Sequence, residues 1–386
     1  MREGWTKRKL GDVISLEYGK PLPADQRRTD GGFPAYGANG IKCFAANPYF
    51  HDPSIIVGRK GTAGAVNLAE GAFWPLDVTY YVTFDSYQHD LKFLYYMLSA
   101  LDLPSLATGV KPGINRNVVY AIERYFPPLP EQKRIVAILD EAFAGIDTAV
   151  ANTEKNLANA RELFESYLRA VLDQELGRSP EVSIEKYIKF IDYRGKTPKK
   201  KASGLRLVTA KNVRMGFLQR EPEEFVDPAI YDDWMTRGIP RKGDVLFTTE
   251  APLGLVCQLD TEDKVVFAQR IITMQPDRDV IDPVYLKFAL RSAPMQARIQ
   301  EKATGATATG IKASLLKKIK LPLPDISGQT VIAERADSLE QESKRLESIY
   351  EEKLAALAEL KQSLLQKAFS GELTAVPQDE IEDALA

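Results

Sequence analysis

The residues best suited to chemistry in this sequence are basic, amide and hydroxyl side chains in loops rich in glycine and proline. Arg and Lys suit phosphates and guanine, Asn and Gln suit adenine, and Thr can contact the thymine methyl group. In the first half of the chain the candidates are Lys20, Arg59, Lys60, Thr62, Lys111 and Asn115. In the second half they are Arg194, Lys196, Lys199, Lys211, Asn212, Thr249, Gln269, Arg270 and Lys312. The alternative for each is an ordinary surface-loop residue, and for Arg270 a buried ion-pair partner.

Signatures of catalysis are missing from the sequence. The segment Gly58–Gly64 is rich in glycine but lacks the Lys-Ser/Thr ending of a phosphate-binding loop, which favours a turn between strands. No Asn/Asp-Pro-Pro-Tyr/Phe segment of a base-flipping amino-methyltransferase occurs. The sequence has two histidines and two cysteines, His51, His89, Cys43 and Cys257, and they form no zinc-binding pattern. We therefore expect no catalysis, no cofactor and no metal, with both cysteines buried and His51 on a surface loop.

The hydropathy pattern excludes a membrane protein of the helical type. No apolar run approaches ~18 residues, and the first residues lack the apolar core of a signal peptide. The sequence therefore predicts no membrane partner and a cytoplasmic location.

The elements that must position these residues occur twice. Residues 54–66 align without gaps with residues 244–256, and each segment has an apolar run, a polar loop and then a glycine. The helical segments 157–176 and 354–373 match as well. A repeat of this length is a domain with an appendage, because solenoid repeats are much shorter. The chain is therefore predicted to be two copies of one unit.

Each copy ends in a segment with apolar residues three and four positions apart, which is typical of a coiled-coil seam. Neither segment contains a proline between Glu131 and Leu176 or between Asp325 and Leu373. We predict two long helices that pair antiparallel. In the second copy, Asp325–Gln329 reads as an insertion relative to Glu131-Gln132, before the helix.

The rest of each copy has short β-branched or aromatic runs separated by turn residues. The predicted strands include 54–57, 78–83, 244–248 and 265–274, and short helices are predicted at 91–99 and 284–292. The predicted fold class is α+β, with two similar mixed domains on a pseudo-two-fold plan. The predicted boundaries are domain 1 at 1–128, a central helical spacer at 129–178, domain 2 at 179–324, a C-terminal spacer at 325–373 and an acidic tail at 374–386.

The formal net charge of −2 hides an uneven distribution. The globular segments carry +2 (1–128) and +7 (179–324), whereas the helical segments carry −3 (129–178) and −8 (325–386). Basic domains attract phosphate. This division indicates a nucleic-acid reader on an acidic helical scaffold, although the excess in the first domain is small.

Taken together, these features resemble the specificity (S) subunit of type I restriction-modification systems. The resemblance rests on the two-copy plan, on Pro127–Asp140 entering a long helix with a second copy near the C-terminus, and on the segments Gly58–Gly64 and Thr309–Pro324. It implies that each domain is a target recognition domain that binds one half of a bipartite double-stranded DNA target. It further implies that the helices set the spacer between the half-sites and dock two modification (methyltransferase) subunits, that restriction subunits join the complex, and that this chain has no catalysis of its own.

Two other interpretations remain open. One is the specificity subunit of a type IIB-like restriction system, and the other is a coiled-coil adaptor protein whose globular ends do not bind DNA. Because the two copies differ in sequence at the candidate loops, we expect the two half-sites to differ.

Overall fold

The computed structural model describes residues 4–193, 198–305 and 309–375 of the chain. It divides into two compact units. Unit 1 is Met1–Thr153 together with Glu352–Ala386, and unit 2 is Glu154–Glu351. Each unit therefore takes one part of each long helical segment, so the units differ from the predicted domains and spacers. Most of the predicted acidic tail lies outside the described residues.

Unit 1 is built from short strands, two short helices and parts of the two long helices. The strands are β1 Thr6–Lys9, β2 Ile14–Tyr18, β3 Arg27–Arg28, β4 Phe33–Gly37, β5 Gly40–Ala45, β6 Ser54–Gly58, β7 Val66–Ala69, β8 Trp74–Pro75, β9 Thr79–Phe84 and β10 Glu123–Phe126. The helices are α1 Leu91–Ser99, α2 Arg116–Tyr120 and the long α3 Leu129–Arg178, which continues into unit 2. The strands form a two-stranded sheet, β1-β10, and two four-stranded sheets, β2-β9-β6-β7 and β3-β5-β4-β8.

Unit 2 repeats this plan strand for strand. Its strands are β11 Glu181–Ser183, β12 Ile188–Asp192, β13 Lys200–Lys201, β14 Leu205–Val208, β15 Phe225–Val226, β16 Val245–Thr248, β17 Val256–Gln258, β18 Val265–Phe267, β19 Ile271–Pro276 and β20 Lys320–Pro322. Its helices are α4 Tyr231–Trp234, α5 Pro283–Arg291, α6 Ala293–Glu301, α7 Ala313–Leu316 and the long α8 Ile326–Ser370, which continues into unit 1. The sheet orders are β11-β20, β12-β19-β16-β17 and β13-β15-β14-β18, so each sheet of unit 1 has its counterpart. The predicted duplication is confirmed.

The glycine turn of the internal repeat has the same hydrogen bonds in both units. Gly64 N donates to Gly58 O at 2.8 Å, and Gly254 N donates to Thr248 O at 2.9 Å. Gly64 and Gly254 have φ values of 88° and 86°, in the left-handed region that glycine adopts without a Cβ clash. The turn joins two strands in each unit, as predicted for this segment.

One predicted strand is wrong in its extent. The apolar run 265–274 is divided between β18 and β19, which belong to different sheets. Arg270 lies between the two strands with φ 76°, a conformation that no regular strand contains. The polar pair Gln269 and Arg270 interrupts the apolar run, and the backbone turns between the two sheets at this point.

The two long helices pair antiparallel within each unit. In unit 1, Thr374 Oγ1 donates to Glu131 Oε1 at 2.5 Å, and Lys361 lies 3.3 Å from Asp147. Residue numbers therefore rise along α3 while they fall along the partner segment. In unit 2, Ser343 Oγ donates to Ala160 O at 2.8 Å, and the apolar seam there contains Phe164, Leu168, Ala336 and Leu339. The predicted antiparallel pairing is confirmed inside each unit.

The predicted insertion at the second helix start is wrong. The long helices begin at Leu129 and Ile326, and Gln132 and Gln329 are the fourth residue of each. Both glutamines are fully buried. Each glutamine lies five residues after the proline whose carbonyl it contacts, Pro127 or Pro324, so the two segments match without a gap.

The cysteines differ in burial. Cys257 is fully buried, and this burial raises the pKa of its thiol to about 12. Cys43 is only half-buried, so the prediction that both cysteines are buried is confirmed for Cys257 alone. His51 is exposed, as predicted for a surface loop.

Candidate nucleic-acid interface

Unit 1 gathers several predicted residues at one edge of the sheet β2-β9-β6-β7. Strands β2 and β6 both pair antiparallel with β9, so both end at the edge where β9 begins. Lys20 lies just beyond the end of β2, Arg59 follows β6, and Lys60 and Thr62 lie in the turn toward β7. Arg59 is half-buried, and the other three residues are exposed.

A second loop lies against this edge. Thr108 and Gly113 exchange two backbone hydrogen bonds of 3.0 and 3.1 Å, which close the loop. Ile114 N donates to Arg59 O at 3.0 Å and so ties the loop to the end of β6. Lys111 is exposed in this loop, which places it beside the residues of the sheet edge.

Asn115 has a structural role at the end of the same loop. Its Oδ1 accepts a hydrogen bond from Asn117 N at 2.9 Å and caps helix α2. Reading adenine with an asparagine requires both the amide oxygen and the amide nitrogen. Base contact and capping therefore compete for Oδ1, and the contact with DNA stays a prediction.

Sequence reasoning missed two residues of this edge, Tyr18 and Arg116. The Tyr18 ring, 45% exposed, lies close to two guanidinium groups. The Cζ atoms of Arg59 and Arg116 are 5.2 and 5.1 Å from its centroid. No spacing in the sequence links these three positions, because the contact depends on the pairing of β2 with β9 and on the loop before α2.

Unit 2 repeats the edge on the sheet β12-β19-β16-β17, with Thr249 in the place of Arg59. Thr249 N donates to Arg270 O at 3.0 Å, and Thr249 O accepts from Ile311 N at 2.9 Å. Thr249 is only 3% exposed. Its burial contradicts the predicted DNA contact, because a buried hydroxyl or methyl group does not reach a base edge.

Arg270 forms an ion pair, as the alternative interpretation held, but the pair is not buried. Its Nε lies 2.9 Å from Glu250 Oε1, and the two side chains are 48% and 43% exposed. A pair this exposed contributes little to stability, ~0–1 kcal/mol. Its effect is to neutralise the charge of Arg270 at the sheet edge.

Three predicted residues of unit 2 line one concave surface, which encloses a cavity volume of ≈ 270 Å³: Lys211, Gln269 and Arg270. Lys200 and Ala251 also line it. Lys211 and Gln269 are exposed, so their side chains are accessible to a ligand.

Asn212 does not belong to this surface. It is fully buried, and its Oδ1 accepts hydrogen bonds from Thr209 N at 2.9 Å and Thr209 Oγ1 at 3.0 Å. Its Nδ2 donates to the carbonyl oxygens of Arg220 and Pro222. The predicted DNA contact is wrong, since the side chain holds the loop 209–222 together.

The remaining predicted residues of unit 2 lie elsewhere. Lys199 is exposed and lines a different concave surface, with Pro198 and Lys201. Lys312 is exposed and directly precedes α7. Arg194 and Lys196 lie outside the described residues.

A further basic pair was not predicted in unit 1. Strand β3 is Arg27–Arg28, and its counterpart in unit 2 is β13, Lys200–Lys201. Each is the edge strand of its four-stranded sheet, and each is exposed. The matching charge was not recognised because the two dipeptides lie in segments with no similarity in sequence.

Within the ranges 4–193, 198–305 and 309–375, no group of His, Cys, Asp and Glu side chains has the arrangement of a metal site. The helices of the same ranges include none that is long and apolar enough to cross a membrane.

Comparison with known proteins places this geometry in a family. A profile of the type I restriction modification DNA specificity domain matches residues 2–157 and 235–353. The chain is 24% identical over 318 residues to the type I restriction enzyme EcoBI specificity subunit of Escherichia coli, covering 75% of this chain and 67% of that one. It is 24% identical over 379 residues to the MjaVIII specificity subunit of Methanocaldococcus jannaschii, covering 88% and 86%.

Solved structures share the fold. A chain from a study of complex assembly and conformational transition of the type I R-M system aligns with a TM-score of 0.76 and 18% identity, covering 97% of this chain and 99% of that one. The HsdS subunit from Thermoanaerobacter tengcongensis aligns with a TM-score of 0.59 and 17% identity, covering 97% and 98%.

Proposed function

Because the chain belongs to the type I restriction-modification DNA specificity family, we propose that each of its two units reads one half of a bipartite double-stranded DNA target. The observation that carries this proposal is the duplicated sheet edge. Loops after β6 and β16 project from the same place in both units and are joined by the same backbone hydrogen bonds to the loops before α2 and α7. One scaffold thus presents two different sets of side chains.

The side chains at these edges match the chemistry of DNA. Exposed lysines and arginines suit phosphates, and they fix the position of the protein on the duplex. Amide side chains such as Gln269 can read base edges in the major groove. The candidates for contact are Lys20, Arg59, Lys60, Thr62 and Lys111 in unit 1 and Lys211, Gln269, Arg270, Lys199 and Lys312 in unit 2.

The two halves of the target should differ in sequence. The turn after β6 contains Arg59 and Lys60, whereas the matching turn after β16 contains Thr249 and Glu250. Lys60 and Glu250 have opposite charges at equivalent positions, which favours different bases and different backbone contacts. The target is therefore asymmetric.

The paired helices act as the scaffold of the complex. They set the unread spacer between the half-sites and dock two modification (methyltransferase) subunits, which methylate adenine, and restriction subunits join through the same complex. The chain itself contributes recognition and no catalysis, needs no cofactor, and works in the cytoplasm where the DNA is.

Methylation mapping tests this proposal. The chain is expressed with its modification partner in cells that lack other adenine methylation, and methylated adenines are mapped across the genome. We expect one asymmetric bipartite sequence with an unread spacer. A continuous target would contradict the two-unit assignment. If no methylation occurs and the purified complex binds DNA weakly and without salt dependence, the non-DNA adaptor is favoured instead.

Variants assign the half-sites to the units. The double variant Lys211→Ala/Gln269→Ala should relax or alter one half-sequence and leave the other unchanged. Its matched control is Arg241→Ala in the same unit, which lies outside the concave surface and should change neither half. A change in both half-sequences would contradict independent reading by the units.

A further inference from the structure

Tyr18, Arg59 and Arg116 form a cluster at the sheet edge of unit 1. Both guanidinium groups lie within the ~6 Å range of a cation–π contact with the same partly exposed phenol, at 5.2 and 5.1 Å from its centroid. Tyr18 is the last residue of β2, Arg59 follows β6, and Arg116 begins α2. Three separate elements are needed to assemble the cluster, so it forms only in the folded unit.

No carboxylate among the described residues compensates the charges of the two arginines. In the described part of the chain, neither guanidinium group forms an ion pair. One nitrogen of Arg59 donates to Asp77 O at 2.6 Å, and one of Arg116 donates to Leu16 O at 3.3 Å. A guanidinium group has five N–H donors, so most of this donor capacity remains for another acceptor. Two like charges that share one ring also repel each other, and an anion between them would relieve this repulsion.

Tyr80 supports the cluster from beneath through two contacts. Tyr80 packs against Tyr18 with ring centroids 5.1 Å apart, and its hydroxyl donates to Ile114 O at 3.1 Å. Burial raises the pKa of Tyr80, and the neighbouring Tyr18 phenol raises it further. Tyr80 therefore remains a neutral donor that holds the loop of Ile114, and with it the start of α2, against the sheet. The arginines are thus positioned before any ligand arrives, which lowers the entropy cost of binding.

We propose that Tyr18, Arg59 and Arg116 form a clamp for a single backbone phosphate of the DNA bound by unit 1. This proposal rests on the proposed DNA-binding function and assigns Arg59 to the backbone rather than to a base. Guanidinium groups match the geometry of phosphate oxygens, and their contacts with the Tyr18 ring hold both groups at the same part of the sheet edge. The clamp explains how a domain with a net charge of only +2 over residues 1–128 can hold DNA.

The described residues of unit 2 do not form such a clamp. The strand pairings place Asp192 at the position of Tyr18. The matching backbone hydrogen bonds place Thr249 at the position of Arg59. They also place Ala313 at the position of Arg116. Its own sheet-edge arginine, Arg270, is paired with Glu250. The clamp is therefore a property of unit 1, and its loss should affect the backbone of one half-site only.

The test uses the chain assembled with its modification partner and a duplex carrying the mapped target. Binding is measured over a series of salt concentrations for the wild type, Arg59→Gln and Arg116→Gln. Each variant should bind about tenfold more weakly, and the slope of log K against log[salt] should fall in magnitude by roughly 0.9. The methylated sequence should stay the same, because a phosphate contact carries no base information. Lys7→Gln is the matched control, since this exposed lysine of unit 1 is already paired with Glu123.

Neutral methylphosphonates placed one at a time along the unit 1 half-site locate the phosphate. The wild type should lose affinity about tenfold at one position, and Arg59→Gln/Arg116→Gln should lose no more there, because the contact is already gone. The variant Arg59→Lys/Arg116→Lys, with thermal unfolding measured in parallel, separates loss of the clamp from loss of folding. It keeps the charge, so its salt slope should match the wild type even though its affinity falls.

Two results overturn the clamp while leaving DNA recognition intact. One is an unchanged salt slope in the Gln variants when the wild type binds its target normally, and the other is a change in the methylated half-sequence, which would make Arg59 or Arg116 a base reader. If the wild-type complex has no bipartite target at all, the proposed function fails and the clamp fails with it.

Discussion

Gln132 and Gln329 form the same hydrogen bonds in the two units. Gln132 Oε1 accepts from Asp90 N at 2.9 Å, and Gln329 Oε1 accepts from Asp282 N at 3.0 Å. Each Nε2 donates to the carbonyl oxygen of the proline five residues earlier, Pro127 or Pro324, at 2.9 Å. Because the two aspartates cap α1 and α5, each glutamine ties the first turn of a long helix to the globular part of its own unit.

Replacing either glutamine should destabilise its own unit. Gln132→Ala and Gln329→Ala leave buried backbone groups without partners, so the free energy of unfolding should fall by about 2–4 kcal/mol. Urea denaturation followed by circular dichroism measures the change. Gln300→Ala, at an exposed position of α6, is the control and should shift the midpoint little. Equal effects from all three variants would show that the buried hydrogen bonds are unimportant.

Stability should rise with pH through the titration of His89. Burial lowers the pKa of this histidine below its usual 6.5, and the Arg8 guanidinium lowers it further. As the pH falls below about 6.5, the imidazole of His89 therefore binds more protons in the unfolded state than in the folded state. The folded state loses stability on acidification and regains it as the pH rises. Urea unfolding of the wild type and His89→Phe between about pH 5 and 8 measures this difference.

The control for this prediction is the other histidine of the chain, His51, which is exposed. His51→Gln should retain the pH dependence of the wild type, and His89→Phe should have a shallower one. A steeper dependence in His89→Phe would contradict the assigned direction of the pKa shift.

Removing the partner of Arg270 should strengthen DNA binding. Glu250→Gln leaves Arg270 unpaired at the edge of unit 2, so one more cation is available to phosphate. The slope of log K against log[salt] should grow in magnitude by roughly 0.9, and binding should tighten on any sequence. Glu301→Gln on α6 is a charge-matched control. Unchanged binding by Glu250→Gln would place Arg270 away from the DNA.

The paired helices should act as a ruler. A heptad inserted in α3 after Thr153 and another in α8 after Glu351 preserve the coiled-coil period and lengthen each helix by about 10 Å. Methylation mapping should then give a longer unread spacer with both half-sequences unchanged. Altered half-sequences with the original spacer would contradict the ruler. An insertion in only one helix is the control, and it should destabilise the protein because the helix pairing is lost.

The local features of the fold were predictable because their signals are local. The helix α1 lies at 91–99 as predicted, and the long helix α3 spans the interval that lacks proline. The turn ending at Gly64 repeats at Gly254 because both positions need a residue that accepts positive φ. Such patterns depend on residues close together in the chain, so they survive even when the two copies have diverged.

The site was only partly predictable. Exposed Lys60 and Lys111 lie in adjoining loops, but the choice of Asn212 was wrong because the sequence does not reveal that its amide is buried among backbone carbonyls. The proximity of Tyr18 to Arg116 was missed for a related reason. Their contact depends on strand pairing and loop packing between residues far apart in the chain.

The sequence by itself determined the duplication, the long helices and the uneven distribution of charge, since periodicity and composition are written into neighbouring residues. Only the tertiary structure decided which charges remain available. Strand register pairs Arg270 with Glu250 in unit 2, and it brings Arg59 to the Tyr18 ring in unit 1, where no carboxylate of the described residues pairs with it. Register and burial are set by the packing of the whole unit, so Arg270 is neutralised by an ion pair in unit 2, whereas Arg59 joins a cationic cluster in unit 1.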